Sequence, residues 1–143
     1  MKREKSCGTV LFTVIDGVVN YVLIQNTNNG HCGFPKGHVE GCETEKETAL
    51  RETWEETSVR AEICGDFRYK ISYRMKNGVH KTVIYFIARF SNQIPCHNSC
   101  FEFYNLLMLP YDEAYKKLTF PSAKLLLKEA NDNINNILFN NEA

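Results

Sequence analysis

The sequence predicts an α/β protein in which a central mixed β-sheet lies between helices. Two segments rich in Val, Ile, Leu, Phe and Tyr, residues 7–15 and 18–25, have the composition of β-strands. A charged helical segment follows from about residue 44, and a second pair of strands begins near residue 67. Strands on both sides of a helix, with further helices at the end of the chain, are typical of layered α/β sandwiches.

The length and composition of the chain are those of one globular domain. With 143 residues, of which 43% are hydrophobic and 24% charged, we assign residues 1–143 to a single domain with its own core. The 17 basic residues balance the 17 acidic ones, so the net charge gives no reason to expect nucleic acid or a membrane as a partner. No apolar run approaches the roughly 20 residues of a membrane span, and no small-residue cleavage pattern follows the N-terminal segment. We therefore expect a cytoplasmic protein.

The six cysteines are scattered along the chain. No two of them have the two-residue spacing of a zinc knuckle, which favours reduced, partly buried thiols. The alternative is a soft-metal site formed by Cys96, His97 and Cys100, for which two thiols and one imidazole are few ligands.

The first two strands are predicted to form a hairpin, because Asp16-Gly17 between them is a favoured two-residue turn. Residues 26–30 form a polar loop, and residues 33–38 are interrupted by Gly and Pro before the charged helix. Thr44 and Glu47 have the spacing of a capping box. The helix should therefore begin near Thr44.

This helix carries three carboxylates on one side. Since a helix advances about 100° per residue, Glu52, Glu55 and Glu56 fall within about a quarter-turn of each other. Carboxylates that close repel one another unless a cation lies among them. Oxygen ligands of this kind suit Mg²⁺ or Mn²⁺, so the spacing predicts a site for a divalent metal ion.

The segment around the carboxylates resembles the signature of Nudix hydrolases. That signature is Gly, five residues, Glu, seven residues, Arg-Glu, an apolar residue, any residue, Glu-Glu, any residue, Gly and an apolar residue. The matching positions are Gly37, Glu43, Arg51, Glu52, Glu55, Glu56 and Val59. Two positions depart from the signature, since Thr53 replaces an apolar residue and Ser58 replaces the last Gly. Gly at a helix end is commonly left-handed, a conformation that costs Ser roughly 1 kcal/mol.

The resemblance implies a Nudix-type α/β/α sandwich that hydrolyses a nucleoside diphosphate linked to a further group. Magnesium is the implied cofactor, with manganese as a possible substitute. The implied metal ligands are the carbonyl of Gly37 and the carboxylates of Glu52, Glu55 and Glu56. By the same resemblance, Arg51 orients these carboxylates and Glu43 supports the site from the start of the helix. Which glutamate acts as the general base stays open.

Residues 67–76 alternate between apolar and polar side chains, as expected of a half-buried strand. The dipeptide Asn77-Gly78 predicts a two-residue turn, which would pair Arg74 with Lys81 and turn Tyr73 towards the core. In that register one outward face carries Arg68, Lys70, Arg74, Lys76, Lys81 and Tyr85. This face is either a solvated basic edge or a surface for polyphosphate, with its tyrosine stacking on a base.

Several segments resemble the asymmetrical diadenosine tetraphosphate hydrolases. They are residues 34–40, 49–53 and 81–86, and the region 118–127 is similar in outline. The resemblance implies cleavage of the dinucleotide to ATP and AMP. It implies contacts to phosphate from Lys36, His38 and Lys81, to adenine from Tyr85, and a further counterpart at Tyr73; Arg74 joins them from the basic face. The alternative for Lys36 and His38 is a solvent-exposed pair of loop residues.

After about residue 90 the resemblance is looser. Residues 101–109 are expected to form a last strand, 110–118 a short helix and 121–138 a longer helix. Many relatives carry a Glu before the last strand that binds metal or acts as a base. Here Cys100 occupies that position, and Glu102 is the nearby carboxylate.

The sequence leaves three functions open. The first is a dinucleoside polyphosphate hydrolase acting as a monomer or homodimer on a small nucleotide or polyphosphate. The second is a Nudix pyrophosphatase for another compound, such as an oxidised nucleoside triphosphate, an inositol pyrophosphate or a triphosphorylated RNA end. The third is a non-catalytic nucleotide-binding regulator. The intact arginine and three glutamates of the signature argue against the third, because binding alone does not need all of them.

Overall fold

The computed structural model describes residues 2–97 and 103–139. Its elements are β1 (Arg3–Ile15), β2 (Val18–Asn26), β3 (Cys32–Gly33), β4 (Lys36–His38), α1 (Glu45–Thr57), β5 (Glu62–Arg74), β6 (His80–Arg89), β7 (Tyr104–Pro110), α2 (Tyr111–Lys117) and α3 (Pro121–Phe139). The predicted strands and helices occur in the predicted order, and two short strands that were not predicted, β3 and β4, lie between β2 and α1. Residues 101 and 102 of the expected last strand lie outside the described ranges. Within those ranges, no helix is long and apolar enough to cross a membrane.

The strands form one mixed sheet of seven strands in the order β3-β2-β1-β6-β5, with β4 paired to β1 and β7 paired to β2. Strand β1 is central, because it runs parallel to β6 over ten residue pairs and antiparallel to both β2 and β4. The first half of β1 pairs with β4, the last strand before the charged helix. The loop before α1 is thereby fixed to the middle of the sheet.

Helices cover both sides of the sheet. On one side, Ala49 of α1 packs on Cys7 and Phe86. On the other side, Leu126 of α3 belongs to a cluster that includes Tyr85 and the buried residues of α2. Neighbouring residues of a strand point to opposite sides, so Tyr85 and Phe86 each face a different helical layer. The predicted α/β/α sandwich is confirmed.

Helix α1 begins at the predicted cap, since the side chain of Thr44 accepts a hydrogen bond from the backbone of Glu47 and the reciprocal bond is also present. Thr53, which stands where the signature has an apolar residue, is hydrogen-bonded. Its hydroxyl donates to the carbonyl of Ala49 at 2.8 Å and lies 2.7 Å from the hydroxyl of Thr9. Both threonines are fully buried. A polar side chain is therefore accommodated where the signature has an apolar one, because its hydroxyl is hydrogen-bonded.

The pairing of β5 with β6 corrects the predicted register by one residue. Tyr73, and not Arg74, pairs with Lys81. The connection is a three-residue loop, because the backbone N–H of Met75 donates to the carbonyl of Val79 at 2.8 Å. Gly78 has a φ of 85°. A left-handed Gly at the third loop position is typical of this hairpin type, which the dipeptide Asn77-Gly78 alone does not distinguish from a two-residue turn.

The shift exchanges the two faces of this strand pair, because a slip of one residue moves each side chain to the other side of the sheet. Tyr73, Lys81 and Tyr85 share one side, whereas Arg74 lies on the side of α1. The predicted face that combined Arg74 with Lys81 and Tyr85 is therefore wrong. The prediction that Tyr73 turns into the core is also wrong, since this residue is 45% exposed.

Candidate active site

Arg51 is the centre of the polar cluster on α1. Its guanidinium donates twice to Glu43, from Nε at 2.6 Å and from Nη2 at 3.1 Å. Its Nη1 donates to Glu52 at 2.9 Å and to Glu55 at 3.2 Å. Its Nη2 also donates to the backbone carbonyl of His38 at 2.9 Å. One side chain therefore links the segment before the helix, the carboxylate side of α1 and the end of β4.

The carboxylates of this cluster lie in different electrostatic environments. Hydrogen bonds from Arg51 and Thr48 lower the pKa of Glu43 to about 2. Burial raises the pKa of Glu52, although the hydrogen bond from Arg51 opposes this change. Its side chain is only 13% exposed. Glu52 is therefore a desolvated carboxylate whose charged form would be favoured by a nearby cation.

Gly37 of β4 lies directly against Glu52. A methyl group at Gly37 would lie 2.0 Å from Cδ of Glu52 and 2.2–2.3 Å from its two oxygens. Those distances are far below van der Waals contact, so this position requires glycine because of close approach. The backbone of β4 and the carboxylate side of α1 are thereby in contact.

Glu56 faces a different neighbour. Its Oε1 accepts a hydrogen bond from the backbone N–H of Lys36 at 3.2 Å. Burial lowers the pKa of Lys36, and so does the ammonium of Lys81, whereas Glu56 and Glu52 oppose the change. Lys36 therefore lies close enough to Lys81 of β6 and to Glu52 and Glu56 of α1 to feel their charges, an arrangement suited to phosphate groups near the lysines and a cation near the glutamates.

The carboxylates suit a divalent metal by their chemistry but do not yet converge. Among residues 2–97 and 103–139, no three His, Cys, Asp or Glu side chains lie close enough together to hold a metal ion. Glu52 and Glu55 point to Arg51, and Glu56 points to the backbone of Lys36. Oxygen donors on one helix side and a desolvated carboxylate fit Mg²⁺ or Mn²⁺. Convergence on one ion requires side-chain rotation, and Glu55, which is 53% exposed, has room to rotate.

A cavity of about 720 Å³ adjoins this cluster. Lys36 and Glu56 line one part of it, and the side chains of Tyr73 and Tyr85 line another. Its remaining lining is mainly apolar and includes Phe34, Cys32, Ile24, Ile71, Val83, Phe120 and Leu126. The volume is within the range of small-molecule sites. An aromatic cavity that opens beside cationic and acidic groups can hold a planar base and its phosphates.

Two residues of this cavity were not predicted from the sequence. His31 and Phe120 meet edge to face, with ring centroids 5.0 Å apart, at the cavity wall. They lie in separate loops, and no local spacing connects them. The loop after β2 and the residue before α3 are adjacent in the folded chain, and no local sequence pattern indicates this.

Lys81 and His38 form a second polar group on the cavity side of the sheet. Nζ of Lys81 lies 3.5 Å from Nε2 of His38, and Lys81 is only 8% exposed. Oε1 of Glu4 lies 3.3 Å from the same imidazole nitrogen and 3.9 Å from the ammonium. Glu4 was not predicted as a site residue. Arg74, which was predicted, does not join this group, because it lies on the other side of the sheet.

The remaining sequence hypotheses concern the segment before β7. Cys100 and Glu102 lie outside the described residues, so the replacement of the relatives' Glu stays a sequence observation. Of the proposed soft-metal group, Cys96 is an exposed free thiol and the ring of His97 stacks on Tyr104 at 3.8 Å.

Comparison with known proteins identifies the family. Residues 8–128 match the model of the NUDIX domain. The asymmetrical bis(5'-nucleosyl)-tetraphosphatase of Rattus norvegicus is 31% identical over 135 residues, which cover 87% of this chain and 91% of the relative. The enzyme of the same name from Sus scrofa is 32% identical over 135 residues, with the same coverage.

The fold agrees with this relationship. The crystal structure of a C. elegans Ap4A hydrolase binary complex superposes with a TM-score of 0.82 at 26% identity, covering 92% of this chain and 97% of the other. The resemblance that the sequence carried, both to the Nudix signature and to the asymmetrical diadenosine tetraphosphate hydrolases, is confirmed. Nudix hydrolases generally use divalent metal ions. The chain belongs to the Nudix hydrolase family.

Proposed function

We propose that the protein is a Mg²⁺-dependent hydrolase that cleaves dinucleoside polyphosphates such as diadenosine tetraphosphate to ATP and AMP. One observation carries this proposal: an aromatic cavity large enough for a nucleoside opens beside the carboxylates of α1, with Lys36 between the two. The relatives named as asymmetrical bis(5'-nucleosyl)-tetraphosphatases support the substrate class. The predicted cytoplasmic location and the monomeric or dimeric state stay predictions from the sequence.

The substrate would lie across the two polar groups and the cavity. Tyr85 is buried and packs edge to face with Phe34, so it forms a fixed wall, while the more exposed Tyr73 can stack on a base. Lys36, His38 and Lys81 would bind the phosphates through charge-assisted hydrogen bonds. One nucleoside in the cavity then places the polyphosphate along β4, next to Glu52 and Glu56 of α1.

The metal would be held by the Gly37 carbonyl and by Glu52, Glu55 and Glu56. A bound Mg²⁺ offsets negative charge on the phosphates and lowers the pKa of water in its coordination shell. Arg51 keeps Glu52 and Glu55 on the side of the helix that faces β4, and Glu43 keeps the guanidinium in place through two hydrogen bonds.

The reaction is hydrolysis of one phosphoanhydride bond. Water attacks a phosphorus atom, the bond from that phosphorus to the bridging oxygen breaks, and one glutamate of the cluster accepts the proton of the water. The other product leaves with the bridging oxygen. Lys36 and Lys81 would stabilise the negative charge that develops on the phosphate oxygens, while Arg51 orients the carboxylates.

The test is a substrate panel with Mg²⁺ in ¹⁸O-labelled water, analysed by mass spectrometry. Diadenosine tetraphosphate should yield ATP and AMP in equal amounts, and the product that carries the label identifies the phosphorus attacked. Removing divalent ions with a chelator should abolish turnover, and added Mg²⁺ or Mn²⁺ should restore it.

Two outcomes would contradict the proposal. Release of diphosphate from a single nucleoside triphosphate, without cleavage of the dinucleotide, would indicate a nucleoside triphosphate pyrophosphatase. Tight nucleotide binding without turnover, with either metal present, would indicate a regulator. A Glu56→Gln variant is purified and measured in parallel. Its hydrolytic activity should be much lower than that of the parent, whereas a contaminating hydrolase would give both preparations the same activity.

A further inference from the structure

Glu4 lies in one row with Lys81 and Tyr73. Glu4 of β1 pairs with Lys81 of β6, and Lys81 pairs with Tyr73 of β5. Side chains of directly paired residues point to the same side of a sheet. Since Tyr73 lines the cavity, the row crosses the sheet on the cavity side and ends at the cavity.

The carboxylate of Glu4 contacts two of the three residues that we assign to phosphate binding. It lies 3.3 Å from the imidazole of His38 and 3.9 Å from the ammonium of Lys81. Within residues 2–97 and 103–139, Glu4 is the carboxylate that lies at ion-pair distance from Lys81 and from the imidazole of His38. Because Lys81 is almost completely buried, water screens its charge poorly. Glu4 therefore acts as the counterion of this group.

A neighbouring hydroxyl shows that the group has unused hydrogen-bonding capacity. Ser6 follows Glu4 on the same side of β1 and pairs with His38 of β4 and Val83 of β6. It is only 1% exposed, and in the part of the chain that the structure describes its Oγ has no hydrogen-bond partner. A buried hydroxyl without a partner is rare and costs stability. The Ser6 hydroxyl can therefore still donate or accept a hydrogen bond beside the group formed by Glu4, His38 and Lys81.

We propose that Glu4 competes with the phosphate groups of a ligand for Lys81 and His38, and so determines how strongly a ligand's phosphate count affects binding. The proposal rests on the phosphate-binding role assigned to Lys81 and His38 under the proposed function. A ligand with few phosphates gains little from cations that already have a counterion. A polyphosphate brings enough negative charge to displace Glu4, and after cleavage the returning carboxylate favours release of the shorter product.

A charge-only substitution separates this role from a structural one. Glu4→Gln keeps the size and the acceptor oxygen of the side chain but removes its negative charge. The dissociation constant of inorganic tripolyphosphate, measured by calorimetry on the full chain without divalent ions, should fall by about three- to tenfold. The dissociation constants of pyrophosphate and tripolyphosphate should become more similar to each other. A residue that only supported the fold would give weaker binding instead.

The matched control is Glu62→Gln, which removes the same charge from an exposed side chain at the opposite end of β5, where Glu62 pairs with Arg89. It should leave the dissociation constant within about twofold of the parent, since a distant exposed charge is largely screened. Equal tightening in both variants would show a general charge effect and overturn the proposal. An unchanged or higher dissociation constant in Glu4→Gln alone would overturn it as well.

A double-mutant cycle tests the route of the effect. In a Lys81→Met background, Glu4→Gln should change tripolyphosphate binding by less than twofold, because the shared cation is gone. If Lys81→Met does not fold, Lys81→Gln replaces it, since glutamine keeps a polar side chain without the positive charge. Persistence of the full effect in the folded Lys81 variant would contradict the proposal. Because binding is measured without turnover, a failure to hydrolyse dinucleotides would refute the proposed function without affecting this result.

Discussion

The carboxylate side of α1 and the tyrosine-bearing cavity differ in how their residues come together. Glu55 lies four residues after Arg51, so the helical repeat brings the two into contact, and Glu52 is the residue next to Arg51 in the chain. The cavity instead joins Tyr73 of β5, His31 of the loop before β3 and Phe120 before α3, which are far apart in the chain. The first region is determined by local geometry, and the second depends on tertiary structure.

The difference teaches where sequence interpretation fails. A helix has one period, so charges at the spacing of the signature fall on one side whatever surrounds them. A strand pair has two faces, and the loop that joins the strands decides which side chains share a face. One additional loop residue, Lys76, therefore exchanged the roles of Tyr73 and Arg74 but did not affect the predicted start of α1 at Thr44.

The largest expected effect comes from the local region. Glu55→Gln should lower kcat by about two to four orders of magnitude, because it removes a proposed metal ligand whose charge matters in the transition state. The free energy of unfolding should change by less than about 1 kcal/mol, since Glu55 is half exposed and its ion pair with Arg51 is largely solvated. Steady-state kinetics and urea denaturation measure the two effects. Glu113→Gln on the exposed surface of α2 is the control, and a Glu55→Gln enzyme with full activity would remove Glu55 from the site.

A second substitution tests the contact between the two chain segments of the local region. Gly37→Ala places a methyl group about 2 Å from the Glu52 carboxylate and should push it away from Arg51. We expect kcat to fall at least tenfold and stability to fall by about 1–3 kcal/mol. Gly33→Ala is the matched control for stability, because a methyl group there meets no atom within 4 Å. Equal stability losses in both variants would show that close packing at Gly37 is unimportant.

Most of the fold could be predicted because its signals are local. The capping box at Thr44, the hairpin turn at Asp16-Gly17 and the composition of the strands each act over a few residues. The contact of Arg51 with Glu55 follows from the same kind of local signal, whereas the role of Glu43, eight residues before Arg51, was implied only by the resemblance to the Nudix signature. The position of Glu4 beside Lys81 could not be predicted, because it depends on the parallel register of β1 with β6, which no short-range pattern specifies.

The third prediction tests the corrected register directly. Tyr73→Ala should raise KM for diadenosine tetraphosphate by about tenfold, since base stacking on an aromatic ring contributes roughly 1–3 kcal/mol. Arg74→Ala should change KM by less than about threefold, because Arg74 lies on the α1 side of the sheet, away from the cavity. Tyr73 and Arg74 are neighbours on β5 with opposite orientations, so each variant serves as the control for the other. The reverse order of effects would restore the register that the sequence predicted and would place the basic face at the substrate.

The smallest expected effect concerns the end of α1, where the local region departs from its own signature. Ser58 closes the helix in the left-handed conformation, with a φ of 61°, and its backbone N–H donates to the carbonyl of Trp54 at 2.8 Å. Ser58 therefore adopts the left-handed backbone conformation that Gly usually adopts at a helix end, and this conformation is less favourable for Ser than for Gly. Ser58→Gly should raise the free energy of unfolding by about 1 kcal/mol, which chemical denaturation detects, and should leave kcat unchanged. Ser58→Ala is the control, since it lacks the hydroxyl but keeps Cβ and should not stabilise. If the Gly variant were instead less stable, the greater flexibility of its unfolded chain would outweigh the relief of strain, and the departure at Ser58 would be a stabilising feature of this helix.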